Sequence, residues 1–403
     1  MSTTPSNFRV TIEEWVNPQG AHCDLLRNTW ARIGINIGDV CLTEFYDTEA
    51  KSVRKATYGP AYPLAHWLAL HWWSLANEVE RPSKTILERH NIKAAREGFA
   101  LPDVTLYPQG DHIKASWKPF APKSMNGRFI TEAGNTTMPM REFKKAAREF
   151  IEKTIRRLED TNVKESPLHS VWNETLNSEK DPGERDFCVI AGKLGLDPYE
   201  TQEWQVQQIT ESYEILPEEL RSEFFHAAQP NRLLETAKKL ALIIQGIDNK
   251  TWHKPQLPEF TLSPNMPPWA SGYSIAQTVK VSGETVPITL KTADLGSLSG
   301  LACFDTSNKG ITLFAPTTKT TATQEFLKAR ATCEYYTQTA PFALLTQAKT
   351  PRQATNRAFA AELLAPARTI REKFEQGFTS EEIADELGVS ISTIQYQQEN
   401  QLV

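Results

Sequence analysis

The stretch AYPLAHWLALHWWSLA, Ala61 to Ala76, is apolar nearly all the way round a helix. Such a helix has no face to give to water, so the segments on either side of it in sequence must cover it from two directions. It is shorter than the ~20 residues that cross a bilayer and carries His66 and His71, so a buried helix is expected and no membrane association. The two histidines lie five residues apart, about 140° around a helix, which keeps them from sharing one metal ion and leaves packing as their expected role.

The flanking sequence supplies that cover. FRVTIEEW, ARIGINIGDVCLTEF, VTLYPQ and HIKASWKPF alternate apolar and polar residues between Gly, Pro, Asn and Asp, and read as strands and turns. MREFKKAAREFIEKTIRRLED repeats Phe143, Ala146, Phe150, Ile151, Ile155 and Leu158 at helical spacing, with acids and bases mixed on the other face. An N-terminal strand-rich α/β domain over 1–162 follows. ERDFCVIAGKLGL, TQEWQVQQITESYEIL, PEELRSEFFHAA and PNRLLETAKKLALIIQG then read as helices, punctuated at Asp197-Pro198 and Pro217, giving a helical domain over 163–250. The Pro- and Asn-rich residues 251–268 read as a linker. The fold class expected for the whole is α+β and multidomain.

With 403 residues, 40% hydrophobic and 23% charged, the composition is that of folded globular chains, long enough for more than one core. A net charge of -5 carries no general footprint of a nucleic-acid or membrane binder. Cys23, Cys41, Cys188, Cys303 and Cys333 are scattered without a C-x-x-C, and the N-terminus lacks a basic patch followed by an apolar run. A reduced, cytoplasmic setting is therefore expected.

From about Trp269 a strand, GITLFAP, precedes the helix QEFLKARATCEYYTQ and a second helix, RQATNRAFAAELLAPA. FAAELLAPA resembles the F-A-A-x-L-L-M-P signature of ImmA/IrrE-type metallo-endopeptidases, which follows an F-x-x-A-H-E-x-x-H helix; the resemblance covers residues 269–403, a third of the chain. It implies a zincin-like α+β domain. In that family two histidines one helical turn apart bind zinc, the glutamate between them is the general base, and a carboxylate from the second helix completes the site. With Phe326 and Ala329 matched to the motif, those three positions of the first helix hold Arg330, Ala331 and Glu334. On the second helix, Thr355 stands where a glutamate commonly occurs, with Gln353 two residues earlier. The histidines are His22, His66, His71, His90, His112, His169, His226 and His253, so the last 150 residues have none. No cofactor is expected, zinc included.

Arg330 and Glu334, four residues apart, are expected to form a salt bridge across the lost ligand positions. Cys333, Tyr335 and Tyr336 are candidate cleft or partner contacts, the two tyrosines being most simply core or cleft-wall aromatics. TSEEIADELGVSISTIQYQQENQLV, 379–403, has the spacing of a helix-turn-helix in Ala384, Gly388 and Ile394, with Ser380 as the expected cap. Its candidate DNA contacts are Ser390, Ser392, Thr393 and Gln395, yet no Lys or Arg follows Lys373, so little phosphate affinity is expected. The functional expectation is a metal-free, non-catalytic ImmA/IrrE-like regulatory protein that engages a protein partner, as in bacterial or phage mobile-element, stress or phage-defence regulation. An active zinc metallo-endopeptidase cleaving a regulatory protein, and a DNA-binding transcriptional regulator, are the alternatives.

Overall fold

The computed structural model describes residues 7–18, 23–79, 89–96, 99–123, 126–247, 266–305, 309–317 and 320–401. His22, His253 and the expected linker up to residue 265 lie outside them. The chain is mixed α+β and multidomain: its contacts resolve into two compact units, Met1–Val206 and Gln207–Val403. That division falls within the stretch 163–250, inside the helix Glu203–Ile215.

In the first unit, strand Phe8–Trp15 pairs antiparallel with Trp30–Ile37, which also pairs with Val40–Cys41 and Thr57–Pro60. A second antiparallel sheet runs Gly134–Pro139, His112–Lys118, Asp103–Gln109. The apolar segment forms two helices, Tyr62–Leu70 and Trp72–Asn77, where a single one was expected; His71 leaves helical geometry at φ -94, ψ 17. They are buried as their all-round apolarity demands, within a core that includes Ile33, Ile35, Trp67, Trp72, Phe150 and Trp172. His66 stacks on Tyr62 and His71 meets Trp67 edge-on, so both histidines pack. Burial holds His71 down at about 4, with Arg89 and His90 adding to the effect. The helix Met140–Asp160 buries Phe143, Phe150, Ile151 and Leu158, as its spacing predicts. Helices Pro167–Ser178 and Pro182–Lys193 add Leu168, Trp172 and Cys188 to the same core.

The second unit is built on a four-stranded sheet in the order Ile288–Thr292, Gly310–Ala315, Gly300–Asp305, Phe342–Leu345, parallel at its first pair and antiparallel at the rest. Helices Pro268–Ser282, Thr321–Thr337 and Pro351–Leu364 contribute Ile275, Leu327, Tyr336 and Phe359 to a core shared with Ala302, Phe304 and Leu313 of the strands. Gly272 explains how two of these helices come so close. A Cβ there would stand 2.4 Å from the Thr355 carbonyl oxygen and 2.8 Å from the Ala358 Cβ. The small residues of the second signature helix serve backbone-to-backbone packing. Helix Glu218–Ala227 packs beside strand Phe342–Leu345, and its Glu223 accepts a 2.7 Å hydrogen bond from the Thr350 hydroxyl.

The chain ends in helices Ser380–Leu387 and Ile391–Gln401 around a small core of Ile370, Ile383, Ala384 and Ile394. Thr379, rather than Ser380, is the cap: its hydroxyl accepts from the Glu382 amide while Glu382 returns to the Thr379 amide at 2.8 Å. Gly388 closes the helix at φ +65, the left-handed conformation that glycine adopts without a Cβ clash. No helix among the described residues is long and apolar enough to cross a membrane.

Candidate functional site

The helices Thr321–Thr337 and Pro351–Leu364 carry positions 330, 331, 334, 353 and 355, which the resemblance aligns with the metal site. The first starts at Thr320, whose hydroxyl accepts from the Thr323 amide; the second starts at Thr350, capping Gln353, with Pro351 in the first turn where its missing N–H costs nothing.

Between them lies a buried polar cluster. Arg330 is 1% exposed and spends its donors on fixed acceptors: Nε to Asn356 Oδ1 at 2.7 Å, and Nη2 to the Thr346 carbonyl at 2.8 Å and to Gln353 Oε1. Gln353 in turn accepts from the Thr346 amide at 2.9 Å and donates to the Leu344 carbonyl at 2.8 Å, tying the cluster to the end of a strand. Glu334, also 1% exposed, accepts from Asn356 Nδ2 through one oxygen and from Arg352 Nε at 2.9 Å through the other. The expected Arg330–Glu334 salt bridge is not what forms. The Asn356 amide is inserted between the two charges, accepting from one and donating to the other, and the carboxylate takes Arg352 as its ion-pair partner.

Thr355 does not join this cluster; it is half-buried, with its carbonyl oxygen against Gly272. Asn356 is the residue of the second helix on which 330 and 334 converge. Ala331 belongs to the hydrophobic core and carries no group that could act as a base. Cys333, Tyr335 and Tyr336 are core residues too, at 1%, 5% and 1% exposure; for the tyrosines this is the core place of the two expected, and none of the three side chains lies on an exposed partner surface. An aromatic helix face of this kind was needed to pack on Phe304, which meets Tyr335 edge-on. Burial raises the Cys333 thiol well above its usual range, the opposite of what a nucleophile needs.

Electrostatics set the character of the cluster. Burial pushes Arg330 down to about 9, with Arg357 adding to the effect and Glu334 opposing it, so the guanidinium stays charged at neutral pH. Burial raises Glu334 from the ordinary carboxylate range, opposed by Arg352 and the Asn356 hydrogen bond. A guanidinium has donors and no lone pair to offer, so a cation at this point meets like charge in place of a ligand. Among the described residues, no three His, Cys, Asp or Glu side chains gather as a metal-ligating group.

At the chain end, Ser390, Ser392 and Thr393 turn toward one another: the Ser390 hydroxyl lies 2.8 Å from that of Ser392 and 3.0 Å from that of Thr393. Thr393 is buried and Gln395 exposed. The last cation of the sequence, Lys373, is paired with Glu386 at 2.6 Å, and the exposed side of the preceding helix carries Glu381 and Asp385. Sequence reading missed Arg352 and Asn356; the signal available was two polar residues one helical turn apart in a segment otherwise patterned for burial. No protein-family model matches the chain, and no curated protein matches it.

Proposed function

We propose that residues 269–403, within the second unit, form a zincin-like domain of the ImmA/IrrE type that has exchanged metal chemistry for structure, and that the protein is a non-catalytic regulatory or protein-interaction protein. The observation that carries this reading is Arg330. At the position of the first zinc-binding histidine stands a buried cation, whose hydrogen bonds join both helices to the strand end beside them. Asn356 holds it against Glu334, and Ala331 leaves the general-base position apolar. The site is filled by its own side chains, which supports an architectural role for the frame.

The resemblance associates such a domain with mobile-element, stress or phage-defence regulation, and a protein partner fits that association. Five free cysteines, three of them buried, agree with a reducing cytoplasm. An acidic helix face beside the terminal helix weighs against DNA as the partner.

Proteolysis by the purified full-length chain, with and without chelator, tests the reading against its enzymatic alternative. No chelator-sensitive cleavage of an unfolded protein substrate is expected; robust cleavage abolished by chelator and restored by zinc would overturn it. The DNA alternative predicts salt-dependent duplex binding that disappears when residues from Ser390 onward are removed, and the present reading predicts none even at low salt.

A further inference from the structure

Beside the filled cluster, the second unit has a pocket of ≈ 330 Å³ that the zinc frame does not use. The start of helix Thr321–Thr337 forms one wall, helix Pro351–Leu364 another, and the terminal helix Ile391–Gln401 a third. Its volume is at the small end of ligand-binding cavities, about the size that holds one ring and its substituents.

The lining defines the chemistry. Phe326, Ala361 and Val389 give an apolar floor. Among the described residues of the lining, Arg357 alone is charged. Its guanidinium donates Nη1 to the Ala348 carbonyl at 3.0 Å, and among the described residues it makes no ion pair. Burial disfavours its charge while Tyr396 and Glu223 support it, and its guanidinium fork suits a planar or tetrahedral anion. The lining also holds the hydroxyls of Ser390, Ser392 and Thr393, each with one O–H that can turn to a ligand in exchange for a bond to its neighbour, and the phenol of Tyr396. Among the described residues, no acidic side chain lines the cavity to repel negative charge.

We propose that this pocket binds a small organic anion, a single-ring apolar body bearing a carboxylate or phosphate that Arg357 receives, and that the bound anion fastens the terminal helix to the rest of the unit. The pocket stands on its own geometry and rests on no part of the zinc argument. It gives the unit a means of sensing a metabolite through its terminal helices.

Calorimetric titration of the full-length chain with benzoate, with phenyl phosphate and with benzylamine tests the proposal. Saturable one-to-one binding of at least one anion is expected, and the stronger of the two identifies the head group; benzylamine is expected not to bind. Arg357→Gln is expected to weaken the anion by about tenfold or more, as loss of a charge-assisted bidentate contact does. Ser392→Asp is expected to do the same by like-charge repulsion. Ser392 is exposed in the first turn of its helix, where an acid favours folding, so this variant keeps the test meaningful if Arg357→Gln does not fold. Amide exchange in 391–401 is expected to slow on binding. The proposal is overturned if neither anion binds at millimolar concentration, if benzylamine binds as well as the anions, or if Ser392→Asp leaves anion affinity unchanged.

Discussion

Asn356 performs two opposite tasks with one amide, accepting from the Arg330 cation through its oxygen and donating to the Glu334 anion through its nitrogen. Asn356→Ala leaves a buried donor and a buried acceptor unpaired, and is expected to cost about 2–4 kcal/mol in chemical denaturation. Asn356→Asp places a second carboxylate against Glu334 and is expected to cost more at pH 7 than at pH 5. The sequence made Arg330 and Glu334 conspicuous because their spacing places them on one helix face. Which residue would stand between them was not legible, because that depends on the rotation of a second helix, set by the close approach at Gly272. In the first unit, burial raises Asp197 to about 6, with Glu200 and Glu174 adding to the effect against two backbone hydrogen bonds. The folded state then holds a proton that the unfolded chain releases above about 3.8. Its contribution to stability is full below that pH and is lost as pH rises through about 6. His71, held at about 4, acts in the other sense: its contribution is present above 6.5 and is lost as pH falls through 4. Asp197→Asn is therefore expected to raise stability at pH 7 by on the order of 2 kcal/mol and to leave it unchanged near pH 4, read from urea midpoints at the two pH values.

Helices were the most legible elements. Met140–Asp160 occupies the segment its periodicity marks, because a long run of apolar residues three and four apart suits one face of a helix and no strand. Ends and breaks were less legible. Thr379 and Ser380 are equally competent caps by residue type, and Glu382 decides between them by lying three residues from Thr379. Thr379→Ala is expected to cost about 1 kcal/mol and to loosen the terminal pair first, seen as faster amide exchange over 380–387. The break at His71 has no proline or glycine to announce it; the two helices part there and each packs its own apolar surface. Gly272 marks the contact between two helices that the signature's alanines only suggest. Gly272→Val must push the Thr355 backbone away and is expected to destabilise the second unit by roughly 1–3 kcal/mol or more, by thermal melting.

At the scale of the molecule, α+β class and multiple units were readable from the alternation of strand-like and helical segments. The grouping of the helices was not. Apolar faces at 163–250 announce helices that need partners, yet Trp172 and Cys188 complete the first unit's core while Glu223 holds the Thr350 hydroxyl in the second. Periodicity states that a face is buried and is silent on what buries it. The central claim is the proposed one for the second unit: Arg330, Glu334 and Asn356 meet in one buried cluster, and we propose that this cluster takes the place of a zincin-type metal site. Zinc per chain, measured by mass spectrometry after gel filtration, tests it most directly when the native protein is compared with the triple variant R330H/E334H/N356E. The account predicts well under one zinc per native chain and about one in the folded variant, whose two imidazoles and carboxylate replace the buried cluster. One tightly held zinc in the native protein, or none in a variant whose circular dichroism matches the native, would contradict it.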